Sequence, residues 1–280
     1  MLLKMNLKNF LFIFLYFFIL QNGLSANQKD VNFLELTKNC NQCNLKTKNL
    51  SGLNYPYLVL DNSDLNGVNI KNGNLFSSSL RNSDLSNSDL SIINLSSSYL
   101  SKTNFYKANL EGANLSYSTC VDTNFQNANM INTRLDETNL YNSNLYKANL
   151  SNSNLTFANL SNANLKYSKL INSNLEEANL SDANLSYANL NGSNLQAATL
   201  SKTNLKRANL SFSDLSFVDL SGANLEKVDL RNTNLNEANL SFSNLTNANL
   251  EGTSLIKTNF RGAIICKTKM PWGLDNSNCK

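Results

Sequence analysis

Residues 108–115 read Ala108-Asn109-Leu110-Glu111-Gly112-Ala113-Asn114-Leu115: a small residue, an asparagine and a leucine, then two further residues, then the same triplet again. The phase holds in both directions. Between Leu60 and Ile265 every fifth residue is apolar; of these 42 centres 35 are Leu, the rest being Ile70, Phe105, Cys120, Phe125, Met130, Phe260 and Ile265. No insertion breaks the count. A period of five fits neither the helical repeat of about 3.6 nor the strand repeat of about 2, so the backbone must turn once per unit to keep every centre on one side. In a short extended stretch alternate side chains share a face, which sends the centre and the small residue two before it inward and the Asn between them outward. The two remaining residues make the corner. Ala, Ser or Thr predominates at the second inward position because a narrow interior has no room for another large side chain; Val68, Val218, Val228 and Ile93 are local exceptions.

Composition agrees with a repeat. Asn supplies 54 of the 280 residues and Leu 49, an order that average usage does not give. With 41% hydrophobic and 16% charged residues the chain has enough apolar surface to fold. The absence of His removes Ser/His and Cys/His nucleophile pairs and the commonest neutral metal ligand. Carboxylates spread over a convex surface do not converge on a substrate, so neither catalysis nor a cofactor is expected. The Gly-Gly-x-Gly-x-Asp unit of calcium-binding repeats does not occur either, and no metal is expected.

Lys4 and Lys8 precede an apolar run from Phe10 to Leu20, and small residues follow up to Ser25 and Ala26. This pattern predicts an export signal over residues 1–26, cut after Ala26. The eleven apolar residues are too few for a spanning helix, which needs about 20, so the mature form should carry no membrane span. Removing Lys4 and Lys8 from 24 basic residues leaves 22 against 20 acidic ones, a net +2. A periplasmic or extracellular location is the expectation.

The tandem A(D/N)LXX pattern resembles the pentapeptide-repeat proteins and covers about four fifths of the chain. The resemblance implies an all-β solenoid, a right-handed quadrilateral β-helix with four repeats, or twenty residues, per coil. Coils stacked about 4.8 Å apart would then build a rod on the order of 50 Å long. Repeats are expected over 43–265, an N-terminal cap over 27–42 and a C-terminal cap over 266–280. In the first cap Asn32 and Glu35 have capping-box spacing, and Val31, Leu34 and Leu36 are suited to lie over the first coil. The Cys40-x-x-Cys43 segment and the tail from Cys266 to Cys279 look like those of exported family members. On the coil count that the resemblance implies, the two pairs lie about 50 Å apart, beyond the ~7 Å span of a disulfide, which leaves Cys40–Cys43 and Cys266–Cys279. Cys120 sits at a centre and should be buried and reduced. Cys-x-x-Cys is also half a zinc site, but no His completes it; a structural staple is the expected role.

Residues twenty apart would stack in columns. The face with centres 65, 85, 105 and onward carries, between residues 105 and 227, Lys107, Lys147, Lys166, Lys206, Arg207 and Lys227 against Glu226, six cations less one carboxylate, or +5. Tyr106, Tyr146, Tyr167 and Tyr187 interleave with them. The opposite face carries Asp136, Glu137, Glu176, Glu177, Asp214 and Glu237 against Arg134, or −5. The Lys/Arg/Tyr face is the candidate site for an unknown protein or an anionic polymer. Charged faces also keep solenoids soluble, and six cations are sparse beside a nucleic-acid groove, so no nucleic acid is expected. Packing of one rod's basic face on another's acidic face is a route to self-association.

The sequence therefore predicts an exported, non-enzymatic scaffold or protein-interaction module acting through its outer faces. Two alternatives are a polyanion-binding envelope protein and, through the resemblance, a DNA-mimic binder of a type II topoisomerase, which would need a strongly acidic rod. An ice-binding Thr array is disfavoured because Thr103, Thr123, Thr203 and Thr233 fall at inward positions. The many Asn-x-Ser/Thr triplets, such as Asn114-Leu115-Ser116 and Asn154-Leu155-Thr156, read as by-products of the repeat.

Overall fold

A computed structural model describes residues 26–277 and residue 279. The expected export signal lies outside the described residues except for Ala26. The unit around Leu160 shows how the repeat folds. Ala158 and Leu160 are buried and Asn159 between them is half-buried, the alternation an extended triplet imposes. The Leu160 N–H donates to the Asn179 carbonyl at 2.7 Å, and the Asn179 N–H donates to the Ala158 carbonyl at 2.9 Å. Asn159 and Asn179 thereby form a parallel bridge. The Ala163 N–H then closes a turn on the Leu160 carbonyl at 3.0 Å, with Asn162 at φ 60°. A positive φ at the third residue only is the signature of a type II turn.

Every fifth residue from Asn39 to Asn249 forms such a bridge with the residue twenty further on, four repeats along the chain. The result is a repeat β fold with one continuous core. Each centre from Leu60 to Leu250 is buried, and Phe105 and Phe125 stack within it at 5.1 Å. Most inward hydroxyls do not disturb this core because they find a carbonyl: Ser83 Oγ donates to Leu60 O at 2.6 Å, Thr103 Oγ1 to Leu80 O at 2.6 Å and Thr123 Oγ1 to Leu100 O at 2.8 Å, whereas Ser143 Oγ is buried without a partner. A satisfied hydroxyl escapes the penalty of polar burial, which is why Ser and Thr alternate freely with Ala there.

The outward Asn has a larger role than filling a polar position. Its Oδ1 accepts the N–H two residues on, as from Tyr146 to Asn144 at 3.2 Å, and its Nδ2 donates to the Asn twenty residues before, as from Asn144 to Asn124 at 3.3 Å. At several units where Ser or Thr follows Leu, its hydroxyl donates to the same Oδ1: Ser116 to Asn114 at 2.7 Å and Thr156 to Asn154 at 2.6 Å. The Asn-x-Ser/Thr triplets are thus small hydrogen-bonded turns.

The N-terminal end is closed by helix α1, Ala26–Thr37. Two expectations are corrected here. Asn32 lies inside α1 and cannot cap its start, because the helix begins ahead of the capping-box pattern. Leu36 is 51% exposed; Leu34 is buried, with Val31 and Phe33 packed against the core, which is the face a helix of this register turns inward. The helix stops at Lys38, which takes φ 52° and donates its N–H to the Leu34 carbonyl at 2.9 Å, an αL cap. The Asp30 carboxylate accepts the Asn44 N–H at 2.7 Å. Bridging starts at Asn39, ahead of the Cys43 boundary.

At the other end the ladder outlasts Ile265 by one unit, since Lys269 bridges Asn249 while Thr268 and Met270 are buried. Strand β1, Thr268–Met270, then turns through Pro271 and Trp272 into β2, Gly273–Asp275, and the two pair antiparallel. Disulfides join Cys40 to Cys43 and Cys266 to Cys279, and Cys120 is free and buried. Burial pushes the Cys120 thiol pKa up to about 12, so it stays protonated.

Candidate interaction surface

Apart from Arg134 and Asp214, which occupy bridged positions, the residues expected on two opposite faces follow the centres by one or two positions, and these are the turn residues. They therefore line corners, not flat faces: the first residue is mostly half-buried and the second exposed. This is a correction of geometry, since the turn begins directly after each centre. The flat sides between corners carry the bridged Asn residues.

Along the basic corner six residues form a continuous assembly. Tyr146 meets Tyr167 edge-on at 5.8 Å, and Tyr167 stacks on Tyr187 at 5.0 Å. Lys147 lies 5.2 Å from the Tyr146 ring, Lys166 lies 5.1 Å from Tyr167 and 6.0 Å from Tyr187, and Arg207 lies 5.6 Å from Tyr187. Ring quadrupoles hold these cations in place without neutralising them. Among the described residues Lys107, Lys147, Lys166 and Arg207 form no ion pair with a carboxylate. Lys206 and Lys227 converge on Glu226 at 2.7 and 3.5 Å. The hydrogen bond from Lys206 holds the Glu226 carboxyl below its ordinary pKa. Tyr106 with Lys107, 5.2 Å apart, stands away from the assembly, with Gln126 and Asn127 intervening in the columns.

The acidic corner is more broken. Arg134 pairs with Asp136 at 3.4 Å, and Lys257 with Glu237 at 3.4 Å. A hydrogen bond to Glu137 raises the pKa of the Tyr117 phenol. In that column Tyr117, Phe157 and Phe217 are exposed between Glu137, Glu177 and Glu237, which keeps stacked carboxylates from being direct neighbours.

Sequence reasoning passed over one feature beside the basic corner. Asn104, Asn124, Asn144, Asn164, Asn184, Asn204, Asn224 and Asn244 form an uninterrupted column. A period of twenty in the Asn positions was its signal. Another cation–ring contact, Arg81 over Tyr99 at 4.4 Å, lies off this corner. Among the described residues no group of three or more His, Cys, Asp or Glu is placed to hold a metal ion.

Five-residue units bridged at every fifth position, with variable residues confined to the surface, define a β-solenoid whose diversity lies on its exterior. Residues 78–116, 119–156, 158–196, 193–232 and 233–270 match the pentapeptide-repeat family, in 8 copies, and the chain belongs to that family. Among solved structures it is similar to HetL, a pentapeptide repeat protein involved in heterocyst differentiation regulation from the cyanobacterium Nostoc sp. strain PCC 7120. Identity there is 29% over 87% of this chain and 95% of that one, with a TM-score of 0.39. A pentapeptide repeat protein of the Arabidopsis thaliana thylakoid lumen is 29% identical over 36% of this chain and 60% of that one, with a TM-score of 0.15. QnrB1, a plasmid-mediated fluoroquinolone resistance protein, is 18% identical over 76% of this chain and 89% of that one, with a TM-score of 0.32. No curated protein matches the chain.

Proposed function

We propose that this protein is an exported, non-enzymatic scaffold that engages an anionic partner through its basic corner. Pentapeptide-repeat proteins are generally structural or interaction proteins. The observation that carries the reading is the assembly of Tyr146, Tyr167 and Tyr187 with Lys147, Lys166 and Arg207, cations positioned by rings yet unpaired with carboxylates. Such groups are pre-positioned for a partner's negative charges, which lowers the entropic cost of binding. In this reading the stack is a right-handed, four-sided coil of twenty residues, a size supported by the bridge offset.

Export is supported by the Lys4, Lys8 and Phe10 to Leu20 pattern and by cysteines placed for two staples. Intact mass of the purified protein tests it: a species beginning near Asn27 with two disulfides and one free thiol is expected. A full-length, fully reduced cytosolic species contradicts export. Changing Lys166, Lys206 and Arg207 together to Glu tests the corner. The variant should fold and lose retention on a sulfated-polysaccharide column, and equal retention of both forms would refute the binding role.

A further inference from the structure

The Asn column and the basic corner are adjacent, because each Asn precedes a corner residue by two positions: Asn144 leads to Tyr146, Asn164 to Lys166 and Asn204 to Lys206. All eight amides from Asn104 to Asn244 accept the N–H of that corner residue through Oδ1, at 3.1 to 3.3 Å. Nδ2 donates to the preceding Asn along the column at five steps: from Asn124, Asn144, Asn164, Asn204 and Asn224, at 2.8 to 3.4 Å. An amide nitrogen carries two N–H groups, and the ladder uses one. Except at Asn144, whose Nδ2 also donates to Gln126 Oε1 at 3.4 Å, the second is left over on a side chain whose orientation is already fixed. The neighbouring columns lack this regularity: Lys169 and Asp229 interrupt one, Arg134 and Asp214 another, and Tyr99, Thr119, Thr199 and Asp219 the last.

We infer that this Asn column and the Tyr–cation corner beside it form one track for an extended, uronate-bearing polysaccharide lying along the rod. The inference rests on the basic corner being the interaction surface, and it names the partner. Bridged residues succeed one another about 4.8 Å apart, close to the advance of one sugar in an extended pyranose chain. Neighbouring hydroxyls therefore meet neighbouring amides over a run of a few sugars. An extended peptide advances about 3.3 Å per residue and drifts out of step. A nucleic-acid strand needs open ring faces on which its bases stack. Tyr167 and Tyr187 instead stack on each other, with cations over the rings. Both tyrosines are exposed at about two fifths of their surface, and their phenol hydroxyls suit sugar hydroxyls, while Lys147, Lys166 and Arg207 pair with the carboxylates.

Calorimetric titration of the full chain with polymannuronate oligomers of defined length tests the inference. Neutral cello-oligosaccharides, polyglutamate and oligothymidylate serve as comparisons. Affinity for the uronate should rise with length over the first few sugars and then level off, and polyglutamate of equal charge should bind about tenfold more weakly. Two variants keep the fold. Asn164→Thr with Asn184→Thr uses a residue that the repeat already carries at Thr119 and Thr199. Tyr167→Phe with Tyr187→Phe keeps the stacked rings and removes the hydroxyls. Each pair should weaken uronate binding about tenfold, the Tyr pair at an unchanged melting temperature and the Asn pair with a melt that stays cooperative at a lower midpoint. Equal binding of polyglutamate or oligothymidylate, or indifference to both variant pairs, would overturn the polysaccharide inference while leaving a basic corner that attracts anions. Binding of no anion at all would overturn the corner reading as well.

Discussion

At the scale of single residues, the corner position two after each centre dictates backbone conformation. Its φ lies near +60° along the whole stack, a region where Gly and Asn rest comfortably and β-branched residues do not. Gly112, Gly192 and Gly222 use their freedom there, but Ile92 occupies the same conformation at φ 59° with 60% of its surface exposed. Ile92→Asn should therefore stabilise the protein by about 1 kcal/mol, the strain relieved outweighing the little apolar burial lost. A thermal melt checks this, and a lower melting temperature would contradict it. The inward pair at each repeat was legible from spacing alone, since alternation in an extended triplet fixes which side chains share a face. The corner's left-handed conformation was not legible at every unit, because Lys, Tyr, Glu and Phe occupy it alongside the commoner Asn; the closed turn, with its repeated hydrogen bond, overrides residue preference.

Among the elements, the Asn column shows why a by-product of the repeat on the page is a structural device in space. Asn164 accepts the Lys166 N–H at 3.3 Å and donates to Asn144 at 3.2 Å. Asn164→Leu loses both bonds and should cost about 1–2 kcal/mol. Asn164→Asp keeps the acceptor, as Asp84 does for Ser86 and Asn104, and should cost less. Chemical denaturation of both variants measures the order; since both lose the ladder donor, a reversed order would contradict the stabilising role of the turn acceptor. The ends were read less well than the middle. Asn32 and Glu35 have the right local spacing for a cap, yet the helix starts earlier, so a short motif gave way to a longer helical run. The last unit, Thr268-Lys269-Met270, keeps the small, polar, apolar order of the repeat, and its burial follows from that order despite the change in composition after Ile265.

For the whole molecule, one continuous core makes each centre answerable for the layers on either side. Leu165 is fully buried, and Leu165→Asp would place a lone carboxylate among apolar side chains at a cost of several kcal/mol. Loss of the cooperative melt, or a large fall in its midpoint, is expected; an unchanged midpoint would contradict the packing described here. The opposition of basic and acidic sides was legible from columns of residues twenty apart. Their confinement to corners was not, because the sequence does not reveal how tightly the chain turns after each centre. The most direct measurement of the central claim is lysine acetylation of the native protein with and without a bound uronate polymer. The account predicts protection at Lys147 and Lys166, with Lys71, Lys102, Lys202 and Lys257 reacting as before. Protection spread evenly over all lysines, or concentrated away from the tyrosine stack, would contradict it.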